Sequence, residues 1–191
     1  MSNRLSSQRL RKEDWVAAGF RALAETGPQA LKAEALARRL KTTKGSFYHH
    51  FKDVPAYHAA MLALWQDKAF TGIVEALDDM PTAEGKLRAL AQIANDGAPD
   101  RFGGLLIEPA IRAWSLHDPN VAGAVAEIDG KRIGYVADLL EACGHPRTLA
   151  VLFYGAFLGL DDLQARGHDG TGGALTHLIE RILGPTHPTK A

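Results

Sequence analysis

Residues 33–51 read AEALARRLKTTKGSFYHHF, and their spacing predicts two short helices separated by a tight turn. Leu36, Ala37 and Leu40 recur at helical intervals in the first half, Phe47 and Phe51 do so in the second, and Thr42 to Lys44 separate the two sets. That is helix-turn-helix spacing. The second helix, about two turns and on the order of 12 Å long, suits the width of the B-DNA major groove. Its polar face is expected to touch base edges.

The charge distribution points the same way. The 191 residues carry 22 basic and 22 acidic side chains, so the total is silent about nucleic acid. Up to Val54, however, eleven basic residues face five acidic ones, leaving eleven against seventeen in the remainder. Unless this is a chance fluctuation, it describes a basic DNA module joined to a mildly acidic partner. The single cysteine, Cys143, excludes an internal disulfide and offers no thiolate metal cluster; an inert packed thiol is expected. The start MSNRLSSQRLRKEDW lacks the apolar segment of a signal peptide, and no long apolar run suggests a membrane span. A cytoplasmic protein with no membrane partner is expected.

The rest of the chain is read as helices throughout, about nine in all, giving an all-α fold with no convincing strand. Residues 1–10 read as a mobile polar arm, and a first helix from Arg11 buries Trp15 and Phe20 before Gly27-Pro28 stops it. Asp53 is a good N-cap and Pro55 suits a first helical turn, so a long helix with Tyr57, Met61, Leu64 and Trp65 on its apolar side starts there. The expected organisation is a DNA-binding domain over 1–54, a connecting helix over 55–80 and a larger C-terminal helical domain over 81–191. In that last part Pro109 is expected to break a helical stretch, Asp118-Pro119 to open a long helix ended by Gly144, and residues from Pro146 to form a helix apolar on two faces. The loop GHDGTGG, residues 167–173, follows no strand and lacks a terminal Gly-Lys-Ser/Thr, so it reads as a connector rather than a phosphate cradle.

With these elements in place, residues 11–65 resemble the tetracycline-repressor (TetR) family of bacterial transcriptional regulators. The resemblance is carried by Leu36-Ala37, the run Thr43-Lys44-Gly45-Ser46-Phe47-Tyr48, His50-Phe51 and Asp53. It implies a homodimer that binds a double-stranded DNA operator, most often as a repressor, with a C-terminal domain that takes a small-molecule effector. The expected DNA-binding residues are Lys32, Thr42, Thr43, Lys44, Gly45, Ser46, Tyr48, His49 and Lys52. Physical chemistry supports several of them independently. Thr43 and Lys44 sit at a helix N-terminus, where unpaired amides and the helix dipole attract phosphate. Ser46, Tyr48 and His49 can bond base edges or phosphates from the exposed face, and Gly45 either permits close backbone approach or is simply a small residue at a helix start. The sequence departs from the family pattern at Lys41, which replaces the usual turn glycine, and at Val54, which replaces the usual phosphate-binding lysine. The second helix also lacks its usual hydroxyl cap.

An effector pocket is expected from Trp65, Phe102, Glu108, Arg112, Trp114, His117, Arg132 and Tyr135, aromatic surface with a few orienting polar groups. The competing reading makes the aromatics core and pairs Arg132 with Asp129 or Glu127. Tandem apolar stripes at Leu152, Phe153, Ala156, Leu178, Ile179 and Ile182 suggest a dimer interface built as a four-helix bundle. No catalytic residues, metal site or cofactor are expected. His49-His50 lacks a carboxylate to complete a ligand set, and Asp161-Asp162 reads as a solvated helix face rather than an acid/base pair. The alternative from another class is an enzyme or small-molecule binder that keeps a vestigial DNA-binding module.

Overall fold

The computed structural model describes residues 10–96 and 104–184; Phe102 and all of the N-terminal arm but Leu10 lie outside them. The described residues form helices and loops without a strand. In order these are α1 (Lys12–Thr26), a 3-10 turn (Pro28–Ala30), α2 (Ala33–Arg39), α3 (Lys44–His50), α4 (Val54–Gln66), a π-helical segment (Asp67–Thr71), α5 (Gly72–Leu77), α6 (Ala83–Asp96), a second 3-10 turn (Gly104–Leu106), α7 (Ile107–Ser115), α8 (Pro119–Ala142), α9 (Leu149–Ala165) and α10 (Ala174–Leu183). Because α4 runs into α5 through the π segment, the described residues make nine rods.

Local chemistry sets many of the boundaries. Asp53 caps α4 by accepting from the Ala56 amide at 2.7 Å, and Asp118 caps α8 by accepting from Asn120 at 2.9 Å. Gly144, at φ +78°, ends α8 with the paired carbonyl contacts of a left-handed C-cap: its amide donates to Glu141 and that of His145 to Leu140. Pro109 opens a helix rather than kinking one. It falls in the first turn of α7, where a missing amide donor is tolerated, so the helix begins at Ile107 rather than stopping at the proline.

Two apolar clusters hold the molecule together. The first gathers Trp15, Phe20, Leu36, Phe47, Phe51, Tyr57 and Trp65 from the N-terminal helices, and it continues into Ile107, Ile111, Trp114, Val121 and Ile128 of α7 and α8. The helix-turn-helix therefore rests directly on the C-terminal helices. At the centre α1 and α4 approach closely: Tyr57 Oη donates to the Trp15 carbonyl at 2.9 Å, over Gly19, where any Cβ would overlap the phenol. The second cluster joins α6, the far half of α8, α9 and α10 through Leu87, Ala91, Val136, Leu140, Phe153, Leu175 and Ile179. At 24 residues, roughly 36 Å, α8 passes through both clusters.

Candidate nucleic-acid interface and interior cavity

The short α3 is amphipathic in the simplest way. Phe47 is wholly buried, edge-on to Trp15 and against Phe51 and Tyr57, and this aromatic cluster fixes the helix on its scaffold. The opposite face carries Lys44, Gly45, Tyr48 and His49, all exposed, with Thr42 and Ser46 partly so. Thr43 serves the helix first: its Oγ1 accepts from the Ser46 amide at 3.2 Å, leaving its hydroxyl hydrogen for an anion. The Lys44 ammonium lies 6.0 Å from the Tyr48 ring centroid. Lys32, at the start of α2, and Lys52, between α3 and α4, are also exposed and flank this face. Lys32 caps α2 without a side-chain hydrogen bond, and Val54 packs partly against the core. The result is a cationic, hydroxyl-bearing ridge suited to phosphates and base edges.

Behind this face, a cavity of about 470 Å³ opens among α4, the π segment, α5, α6, α7, α8 and α9. Four of the sequence-predicted pocket residues line it: Trp65, Glu108, Arg132 and Tyr135. The other described ones stand elsewhere. Trp114 is 4 % exposed within the first cluster, its ring 4.9 Å from that of His58, so it is core. His117 is exposed beyond the end of α7, and Arg112 lies behind the wall. The cavity also has walls that the sequence reading missed, among them Phe70, Tyr154, Phe157 and Asp161. Tyr154, Phe157 and Asp161 fall at positions i, i+3 and i+7 of α9, a shared face that periodicity could have revealed.

Glu108 organises the polar wall. Its carboxylate accepts from Arg112 at 2.8 Å, from Arg132 at 2.9 Å and from Trp65 Nε1 at 3.3 Å, tying α7 to α8 and α4. Arg112 also donates to both oxygens of Asp129, at 2.6 and 3.1 Å, and Tyr154 Oη donates to Asp129 at 2.7 Å. Burial alone would raise the Asp129 pKa, but hydrogen bonds from Arg112 and Tyr154 outweigh it and hold the carboxyl below its ordinary range. Burial pushes the Tyr154 phenol up to about 12, so it remains a hydrogen-bond donor. Arg132 Nε donates to the Ala69 carbonyl at 3.1 Å, inside the π segment. Cavity wall and α4 are thereby physically linked.

The expected dimer residues divide between two environments. Phe153 and Ile179 are buried in the second cluster, because α10 packs on α6 and its apolar stripe is covered by its own chain. Leu152 faces out at 67 % exposure, joined on the same face of α9 by the exposed Gly155, Gly159 and Leu163. Ala156, Leu178 and Ile182 are half-buried. Among the described residues no group of three or more His, Cys, Asp or Glu side chains is arranged to hold a metal ion, and no helix is long and apolar enough to cross a membrane.

A buried aromatic anchor beneath an exposed second helix is the arrangement of a helix-turn-helix motif, whose second helix can enter the major groove of DNA. Residues 16–53 match the family model described as "Bacterial regulatory proteins, tetR family". Residues 16–53 thus resemble the DNA-binding segment of the TetR family, and the chain has the fold of solved TetR-family regulators. A TetR transcriptional regulator from Legionella pneumophila superposes with a TM-score of 0.77 at 14% identity, covering 92% of this chain and 98% of its own. A protein from Rhodococcus sp. assigned to the same family gives 0.75 at 21% identity, over 93% and 100%. A protein from Saccharomonospora viridis assigned as a transcriptional regulator, solved in complex with choline, gives 0.73 at 14% identity, over 90% and 92%. No curated protein matches the sequence.

Proposed function

We propose that the protein is a homodimeric transcriptional repressor that binds a roughly palindromic operator through α3 and is released by a small organic effector held in the interior cavity. The observation that carries this reading is the α3 ridge, with Lys44, Tyr48 and His49 exposed on a helix locked from below by Phe47. One short helix reads only a few base pairs, so specificity calls for two copies on half-sites about one helical turn or more apart. In this reading Lys44, Lys32 and Lys52 bind phosphates, and Thr42, Ser46, Tyr48 and His49 face phosphates or bases, with Gly45 allowing close approach and Thr43 adding its hydroxyl at the helix start. The boundaries near residues 54 and 80 then separate a reading domain, a lever and an effector domain.

The partner surface in this reading is the outward face of α9 with the half-buried edge of α10. Leu152, Leu163 and the two exposed glycines leave an apolar strip on which a second copy of the chain can approach closely about a two-fold axis. The cavity supplies the effector site, and one structural neighbour was solved with choline. The test is a titration of a labelled duplex from upstream of the protein's own gene, followed by fluorescence anisotropy with and without candidate effectors. Salt-sensitive binding of two chains per site, reversed by a small molecule, supports the proposal. Saturable turnover of a small molecule with no specific DNA binding would instead favour an enzyme with a vestigial module.

A further inference from the structure

Among the described residues, one carboxylate on the cavity wall has no paired cation. Glu108 and Asp129 are matched by Arg112 and Arg132 in the network described above. Lys68, on the π segment, also lines the cavity, but its ammonium is largely exposed and pairs with Asp67 at 3.2 Å. Asp162, the neighbour of Asp161 on α9, pairs with Arg166 at 2.9 Å on the outer face. Asp161 remains. It stands on the cavity wall with no hydrogen bond or ion pair among the described residues, and Trp65, Phe70 and Phe157 line the same cavity. A carboxylate so placed loses hydration without gaining a partner, and a cation entering the cavity restores one. Burial, then repulsion from Glu108, pushes its carboxyl up to about 6 in spite of the positive charges on Arg132 and Arg112. Among the described residues a second polar group on the wall is unmatched, the buried Tyr135 hydroxyl on α8.

Resting on the reading of the cavity as the effector site, we propose that its ligand is an organic cation, with the cationic nitrogen seated against Asp161 and an apolar body among Trp65, Phe70 and Phe157. Aromatic faces attract cations that shed water, so the same rings that hold the apolar body favour the positive charge. An anionic effector would have to draw Lys68 from Asp67 or displace Glu108 or Asp129 from the arginines, and would still face Asp161; a neutral one would leave Asp161 unmatched.

The experiment is isothermal titration calorimetry of the full chain with three probes of similar shape: benzyltrimethylammonium, its neutral carbon isostere neopentylbenzene, and phenylacetate. At neutral pH the cation is expected to bind about tenfold or more tightly than either of the others. Asp161→Asn, close in shape to the wild type, should erase that preference while leaving the neutral probe unaffected, and Asp161→Glu should keep part of it. Acidification through about pH 6 should weaken cation binding in wild type but not in Asp161→Asn. The proposal is overturned if the isostere or phenylacetate binds as tightly as the cation, if the preference survives Asp161→Asn, or if no probe binds up to about millimolar concentration. Operator release is followed separately by anisotropy. Cation binding through Asp161 without DNA release keeps this inference and sinks the effector role, whereas release by phenylacetate alone does the reverse.

Discussion

Lys41 adopts φ +52° in the turn between α2 and α3, the left-handed conformation that glycine occupies without strain. It sits at the position after the α2 C-cap, where its amide donates to Arg38 and that of Thr42 to Ala37; the equivalent positions after α8 and α9 are Gly144 and Gly167. Lys41→Gly is therefore expected to stabilise the protein by roughly 0.5–1 kcal/mol, read from the urea midpoint. On the reading face, Lys44→Ala and Tyr48→Ala should both weaken operator binding. Lowering the salt should rescue the lysine variant more, since a phosphate contact acts through counterion release. Asp161 gives a prediction with a definite pH sign. Its folded pKa, about 6, lies above the ordinary carboxyl value, so the neutral carboxyl favours the folded state in acid, and this advantage is lost as pH rises through about 6. Asp161→Asn should accordingly stabilise the empty protein at neutral pH by about 1 kcal/mol after allowing for solvent screening, and by nothing near about pH 4. Thermal melts across that range check it.

At the scale of elements, α9 and α10 show what an apolar stripe does and does not say. Leu152→Glu is expected to yield a folded monomer, because the side chain is exposed in the single chain and covered only by the proposed partner. Ile179→Glu should instead unfold the protomer, by about 3 kcal/mol or more, since it buries an unpaired charge between α10 and α6. Sedimentation velocity beside thermal melts distinguishes the two, and a Leu152→Glu variant that stays dimeric moves the interface elsewhere. The helix starts at Asp53 and Asp118, the stop at Gly144, and the inward turn of Phe47 and Phe51 were legible in the sequence, because caps and periodicity act within a few residues. The cover of each stripe was not. Periodicity marks Ile179 and Leu152 alike as apolar and is blind to whether α6 or a second chain lies over them. For Trp114 the choice between cavity and core was open in the sequence for the same reason, because only the tertiary fold sets it against His58. The π segment carries no proline or other residue that would announce it, so α4 and α5 read as one plain helix.

Across the whole molecule, the first cluster and α8 give the cavity a physical path to the DNA face. Trp65 bonds Glu108, Arg132 holds the Ala69 carbonyl in the π segment, and Tyr57 on the same rod anchors α1 above the helix-turn-helix. An effector that displaces Phe70 or the Arg132 contact therefore acts on α4 directly. To move operator occupancy from nearly full to nearly empty, it must prefer the DNA-free conformation by about 5.5 kcal/mol. Reciprocity requires that operator DNA weaken effector binding by the same factor as effector weakens DNA binding. A factor that differs between the two directions would place DNA release outside this cavity. Whether α3 reads operator DNA from a dimer is tested most directly by one titration: anisotropy of a labelled upstream duplex against wild type, Lys44→Ala and Tyr48→Ala over a range of salt. The expected result is two wild-type chains per site, tight binding that falls steeply with salt, weaker binding by both variants and a shallower salt slope for Lys44→Ala. Variants that bind as tightly as wild type, or a wild-type chain that does not distinguish this duplex from unrelated DNA, would contradict it.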